Sequence, residues 1–299
     1  MKRILIAGCG DVARRALPKL IPHYRVYALI RNPSHADYLR QLGAVPVMGD
    51  LDDRTSLSRI AGLADAVLHF APPGNSPMHP VAKGGLKGGF LDTRTQNLLS
   101  VLSQGALPER LVYISTSGVY GDCDGERVDE TRAVNPASSR GKLRVDAERQ
   151  IRAWGASNGV NTSILRVPGI YAEERLPLAR LQSGAPAIVA SEDSYSNHIH
   201  ADDLANIAIA ALLRGRPCRI YHATDDDEMM MGDYFDAVAS AYDLPRSPRM
   251  TRDCVQRAVS PVMWSFMNES RRLNNQRMKR ELKVKLIHPT IAKFLFKIK

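Results

Sequence analysis

The sequence predicts an α/β protein built on a doubly wound parallel sheet with a smaller C-terminal lobe, and three observations carry that prediction. Short apolar runs alternate with longer amphipathic segments through the first half of the chain, the pattern of parallel strands joined by crossover helices. A glycine turn, Gly8-Cys9-Gly10-Asp11-Val12-Ala13, follows the first apolar run directly and opens the first amphipathic segment. Beyond Val167 the alternation loses its regularity, with turn signals at Pro168-Gly169, Gly184 and Pro186.

In order along the chain, the apolar runs predict strands over Ile4 to Ala7, Val26 to Ile30, Val45 to Met48, Ala66 to Phe70, Leu111 to Ser115 and Thr162 to Arg166. Apolar residues returning every three to four positions predict helices over Val12 to Leu20, Ala36 to Gln41, Thr55 to Ala61, Thr93 to Gln104 and Lys142 to Asn158. Pro18 is expected to kink or end the first of these, because it has no N–H to donate. The stretch from Ala71 to Gly89 reads as a glycine-rich loop. Further helices are expected over Ala201 to Leu213 and Met231 to Ala241. Residues 1–167 thus form a nucleotide-binding core and residues 168–299 mainly a lobe closing over the strand ends, part of which is free to return to the core.

The turn at Gly8 makes the sheet Rossmann-type. Gly8 permits the tight turn, Gly10 lets a pyrophosphate approach the backbone, and Ala13 is small enough for close packing of helix on strand. With Asp11 and Val12 these residues open a helix whose unpaired N–H groups favour an anion. The residue type closing the second strand selects the dinucleotide, since a carboxylate there binds a ribose 2′-hydroxyl and a cation accommodates a 2′-phosphate. The chain reads Ile30-Arg31-Asn32-Pro33, with no acid, so Arg31 and Asn32 point to NADP and leave NAD open. Asp50 and Leu51, past the third strand, are placed for the adenine, and Ala71 and Pro72, past the fourth, for the nicotinamide side.

Composition narrows the class. With 299 residues, 44% of them hydrophobic, the chain can bury a sizeable core. The run from Ile4 to Ala7 is too short for a signal-peptide core or a membrane span, so the expectation is a cytoplasmic protein without a spanning segment. The four cysteines, Cys9, Cys123, Cys218 and Cys254, are widely separated and lack a metal-ligand pattern, so free thiols and no metal are expected. Of the formal net charge of +10, nearly all lies from Arg271 onward, where ten Lys or Arg face a single acid, Glu281. A solvated basic helix is the expectation there, with the aromatic stretch from Ile291 packing onto the domain. No helix-turn-helix spacing or aromatic-rich basic platform accompanies it, which argues against nucleic acid.

Later segments carry a resemblance. They are Gly49-Asp50-Leu51, the run from Val112 to Gly121 (VYISTSGVYG), the run from Leu165 to Tyr171 (LRVPGIY) and that from Asn197 to Leu204 (NHIHADDL). Together with the glycine turn, and in this order across nearly the whole chain, they resemble the extended short-chain dehydrogenase/reductase superfamily, in particular its NAD-dependent epimerase/dehydratase-like members. The resemblance implies a catalytic Ser or Thr, at Thr116, and a Tyr and Lys spaced as YxxxK. It also implies an unidentified small-molecule substrate and a homodimer formed through the helix over residues 142–158. Pro136 and Glu148 set the register of the pair and select Arg140 and Arg144. A guanidinium cannot release a proton near neutral pH as a phenol does, although Arg144 can still hold ribose or phosphate oxygens. A register shifted by two selects Ser138 and Lys142 instead but breaks both anchors. Tyr171, with Tyr195, and the pair His198 and His200 are candidate substrate contacts. Two readings stay open: an NAD(P)-binding oxidoreductase or sugar-nucleotide epimerase/dehydratase-like protein with a non-standard active site, or a noncatalytic NADP-binding sensor or interaction protein.

Overall fold

A computed structural model of the chain describes residues 1–74 and 90–298. Seven parallel strands form its central sheet: β1 (Arg3–Ala7), β2 (Arg25–Ile30), β3 (Val45–Met48), β4 (Ala66–His69), β5 (Arg110–Thr116), β7 (Asn161–Val167) and β12 (Arg219–His222), in the order β12-β7-β5-β4-β1-β2-β3. The order reverses at β1, between β4 and β2, and a sheet of this kind opens a crevice at its carboxyl edge there. Ile4, Leu5, Ile6 and Ala7 have no exposed surface. Apolar residues on both sides of the pleat are what a strand covered on both faces requires.

Helices cover the two faces. On one lie α1 (Asp11–Leu20) and α6 (Ala201–Arg214), packed on each other in a cluster with Leu17, Leu20, Leu204 and Ile207. On the other, α3 (Thr93–Leu102) and α4 (Ser139–Asn158) bury Leu98, Val101, Ala147 and Ile151. The small helix α2 (Ala36–Gln41) lies beside β3.

Several elements differ from expectation for local reasons. Pro18 does not end α1 early; the helix runs on to Leu20 because a single lost hydrogen bond in its last turn is offset by burial of Leu17 and Leu20. The segment expected as a helix over Thr55 to Ala61 is a 3-10 helix, Arg54–Ile60, capped by Asp53 Oδ1 accepting from Thr55 N at 3.0 Å. Its two buried residues, Leu57 and Ile60, are three apart, the period of that tighter helix. Helix α4 starts three residues before Lys142, since Ser138 Oγ accepts from Gly141 N at 3.1 Å and so caps it. Of the loop from Ala71 to Gly89, residues 75–89 lie outside the described residues.

Beyond Val167 the chain both builds a lobe and returns to the core. β12 pairs with β7 from Arg219 opposite Ser163 to His222 opposite Arg166, and α6 lies on the sheet. The lobe is assembled from two-stranded ladders: β6 (Arg127–Val128) with β15 (Arg272–Leu273), β8 (Gly169–Tyr171) with β11 (His198–His200), β9 (Ala187–Ile188) with β14 (Arg249–Met250), and β10 (Tyr195–Ser196) with β13 (Met229–Met230). The helices α5 (Leu178–Gln182), α7 (Met231–Ala241), α8 (Arg252–Ala258), α9 (Pro261–Met267) and α11 (Ile291–Ile298) surround a third apolar cluster with Tyr171, Phe235, Val238 and Phe294.

The basic segment is not one solvated helix. It is divided among β15, α10 (Gln276–Leu282) and α11, and its charges are used: Arg277 reaches Glu130 at 3.4 Å, Lys279 Asp226 at 2.5 Å, and Arg271 Glu269 at 2.8 Å. Ile291, Phe294 and Leu295 are buried, so the aromatic end does pack onto the lobe. No helix among the described residues is long and apolar enough to cross a membrane.

Candidate functional site

The turn after β1 is shaped by contact with β4. Gly8 has φ +101°, and a Cβ there would lie 2.4 Å from the Ala71 nitrogen, which itself donates to Ala7 O at 2.9 Å. Only glycine fits both demands. Gly10 differs: it caps α1, and a Cβ on it would meet nothing within 4 Å. Ala13 is 1% exposed, packed between helix and sheet. Asp11 turns toward the lobe, where its carboxylate takes Arg15 Nε at 2.7 Å and Arg175 Nη1 at 3.0 Å. Partial burial pulls its pKa up, but the two guanidiniums outweigh this and hold it below the usual range.

Two cavities meet at this turn. One, of about 410 Å³, is lined by Gly8, Gly10, Arg31, Asn32, Asp50, Leu51, Ala71 and Pro72, with Arg14 and Arg94. The other, of about 260 Å³, runs from Gly8 through Asp11, Val12 and Ala13 to Arg144 and Arg175. Every residue expected to hold a dinucleotide therefore lines one or both. Asn32 Oδ1 accepts from Ser34 N at 3.0 Å and caps the 3-10 helix Pro33–His35. Arg31 is exposed and makes no hydrogen bond or ion pair among the described residues. Arg94, which carried no sequence signal, holds Asp52 through Nε at 2.8 Å and Nη2 at 2.6 Å and donates from Nη1 to Pro72 O. The donor set fits a dinucleotide: backbone stripped of side chains at Gly8 and Gly10, a helix start, and cations beyond β2.

A third cavity, of about 390 Å³, opens where the lobe meets the carboxyl ends of β5 and β7. It shares Ile170 and Arg175 with the turn cavity, so the two lie against the same residues. Thr116 lines it from the end of β5; its Oγ1 accepts from Gly118 N at 3.2 Å, which leaves the hydroxyl proton to donate. Arg140 lines it from the first turn of α4, its guanidinium 4.3 Å over the Phe266 ring and without an ion-pair or hydrogen-bond partner among the described residues. Burial lowers the Arg140 pKa, and the nearby Glu269 opposes that shift.

Arg144, one turn on, faces the turn cavity instead. Its Nη1 donates to Tyr113 Oη at 3.0 Å and to Ile114 O. The alternative pair does not share a chamber: Ser138 is the helix cap, and the Lys142 ammonium sits 5.1 Å from the Phe90 ring.

Tyr171 and His198 also line the third cavity, whereas His200 does not. His200 caps α6 through Nδ1, which accepts from Asp202 N at 3.1 Å, and it stacks with His288 and Phe294 below the cavity floor. Burial lowers His198 and His200 alike, to about 4, so both rings are neutral near pH 7. Tyr171 Oη donates to His288 O at 3.4 Å, and Tyr195 lies under Arg272 at 4.7 Å. Four residues without a sequence signal join the lining: Tyr234, whose ring is 4.2 Å from that of His198, and Phe266, Glu269 and Arg271. Arg271 was legible only as one charge of the basic segment.

The NAD dependent epimerase/dehydratase family model matches residues 4–223. The chain belongs to that family. Among its relatives, the dTDP-glucose 4,6-dehydratase of Mycobacterium tuberculosis (strain ATCC 25618 / H37Rv) is 29% identical over 199 residues, which are 61% of this chain and 57% of the relative. This chain thus spans little more than half that protein's length. The human dTDP-D-glucose 4,6-dehydratase is 22% identical over 249 residues, covering 76% of this chain and 70% of the relative.

Among solved structures, a functionally unknown conserved protein from Silicibacter pomeroyi DSS superposes with a TM-score of 0.77 at 27% identity, covering 100% of this chain and 98% of its own. The dTDP-glucose 4,6-dehydratase DesIV from Streptomyces venezuelae, solved with NAD and DAU bound, gives 0.75 at 19% identity, covering 99% and 96%, a likeness of fold. In this epimerase/dehydratase family member, then, the resemblance to extended short-chain dehydrogenases holds.

Proposed function

We propose that the protein is an NADP-preferring oxidoreductase of the epimerase/dehydratase scaffold that acts on a carbonyl or hydroxyl of a small molecule held in the third cavity. The observation that supports this reading is the sequence of adjoining cavities: Arg31, without a hydrogen bond or ion pair among the described residues, lines the first, Gly8 and Gly10 line both the first and the turn cavity, and Ile170 and Arg175 line both the turn cavity and the third, where Thr116 offers a hydroxyl.

Gly8, Gly10 and the start of α1 would hold the pyrophosphate, Arg31 and Asn32 a 2′-phosphate, Asp50 and Leu51 the adenine, and Arg144 the ribose. When bound, the cofactor supplies or accepts hydride. Thr116 polarises the substrate oxygen through its free proton. Tyr234 is a second donor in the chamber; burial raises its pKa, so Oη keeps its proton. Because neither that phenol nor the Arg140 guanidinium gives up a proton near neutral pH, the proton that joins the substrate oxygen comes from water through the open mouth.

Arg140 also favours a second reading, a noncatalytic protein whose NADP occupancy alters a partner surface, since the position lacks any group that titrates near pH 7. One experiment separates the two. NADPH and NADH are titrated by nicotinamide fluorescence, and absorbance is then followed with a panel of carbonyl compounds, alcohols and dTDP- and UDP-sugars. Turnover that falls at least about a hundredfold in Thr116→Ala, with NADPH affinity unchanged, supports the enzyme. NADPH binding with no turnover across the panel supports the sensor.

A further inference from the structure

The third cavity holds three guanidiniums, and two of them are neutralised. Arg175 is paired with Asp11 at 3.0 Å, and Arg271 with Glu269 at 2.8 Å. Among the described residues lining the chamber, Glu269 is the one acid. Arg140 makes no ion pair and no hydrogen bond among the described residues; the charge of Glu269 reaches it, but that carboxylate is held by Arg271 at 2.8 Å. The Phe266 ring lies 4.3 Å from its guanidinium carbon, a cation–π contact that uses none of its N–H donors in hydrogen bonds.

We infer that Arg140 anchors the substrate by a carboxylate, so that the molecule handled in this chamber is a small carbonyl or hydroxy acid. This assignment rests on reading the third cavity as the substrate chamber. A planar fork of N–H donors matches the two oxygens of a carboxylate, and such charge-assisted pairs are among the stronger hydrogen bonds. A phosphoryl group, with more oxygens to satisfy, would call on further free cations, and the chamber's other two are already paired. The hydroxyl proton of Thr116 remains for the rest of the ligand. An arginine in this position thus exchanges a proton-transfer group for a recognition group.

The test is calorimetric titration of malonate, its neutral diamide and inorganic phosphate, at fixed ionic strength, into the full chain saturated with NADPH. Wild type, Arg140→Leu and Arg140→Lys are compared. Malonate is expected to bind wild type, to bind Arg140→Leu at least about tenfold more weakly and Arg140→Lys at an intermediate level, because the lysine keeps the charge and loses the fork. Malonamide should bind at least about tenfold more weakly than malonate to wild type. Equal NADPH affinity in all three proteins reports an intact fold. Malonate binding that is absent from wild type, or unchanged in Arg140→Leu, overturns the inference, as does phosphate binding tighter than malonate. A failed turnover panel counts against the oxidoreductase reading alone, while loss of the malonate site with neutral carbonyls still turned over counts against this inference alone.

Discussion

Arg166 and Glu148 form a doubly hydrogen-bonded ion pair inside the molecule, Nε to Oε1 at 3.2 Å and Nη2 to Oε2 at 2.7 Å, with 4 and 5% of their side-chain surfaces exposed. Ser115 Oγ adds a bond to Glu148 at 2.5 Å, and Arg166 Nη1 donates to Tyr120 Oη at 2.7 Å. The pair therefore pins α4 to β5 and β7. Arg144 and Arg140 follow at four and eight residues toward the N-terminus, on the same face of the helix, so the register of both cavities depends on it.

Glu148→Ala leaves a buried guanidinium without its carboxylate and is expected to destabilise the protein by about 3–5 kcal/mol. Chemical denaturation measures this. A loss below about 1 kcal/mol, the range of an exposed pair, would show that the anchor is not what holds α4.

The two glycines of the turn should fail differently. Gly8→Ala puts a Cβ 2.4 Å from the Ala71 nitrogen on a left-handed backbone, so the melting temperature should drop. Gly10→Val places its side chain in open space, where it leaves the fold intact and blocks the dinucleotide. Thermal melts with and without NADPH check both: Gly10→Val should melt near wild type and lose the shift that NADPH gives.

Arg31→Asp should weaken NADP at least about tenfold, since it replaces a charge-assisted bond with repulsion, and should weaken NAD by much less. Fluorescence titration of both cofactors reads the ratio. Equal losses would remove Arg31 from the 2′-phosphate.

His222 is fully buried, with Nε2 2.6 Å from Tyr120 Oη and Nδ1 3.0 Å from Asn274 O, and burial lowers its pKa to about 3. The unfolded chain binds the proton near pH 6.5 and the folded chain does not. Stability is therefore complete above pH 6.5 and falls as pH drops toward 3, with a slope of up to about 1.4 kcal/mol per pH unit. Asp225, whose buried carboxyl is raised, acts with the opposite sign but is common to wild type and variant. Denaturation of His222→Gln across this range should show a shallower slope than wild type. Parallel slopes would mean that the ring is charged in the folded state.

The strand pattern was legible because strands covered on both faces must be continuously apolar, and the six expected strands lie within a residue of those observed at each end. Glu148, which the sequence reading used to select Arg140 and Arg144, is itself tied to Arg166 across the core. What the pattern hides is direction. His198 and His200 are two apart on one short strand, yet the first lines the chamber and the second is drawn off to cap α6. Tyr234, Phe266 and Glu269 come from segments whose only sequence signature is helix or turn, and they reach the chamber because the lobe folds back over β5 and β7.

The sequence by itself determined the doubly wound sheet and the glycine turn, because both follow from local periodicity and steric size. Tertiary structure alone decided the separation of the two arginines, one facing each chamber, and the pairing of Arg175 and Arg271 that leaves Arg140 without an ion pair among the described residues. Charge balance in a cavity is a sum over residues distant along the chain, and no local pattern encodes it.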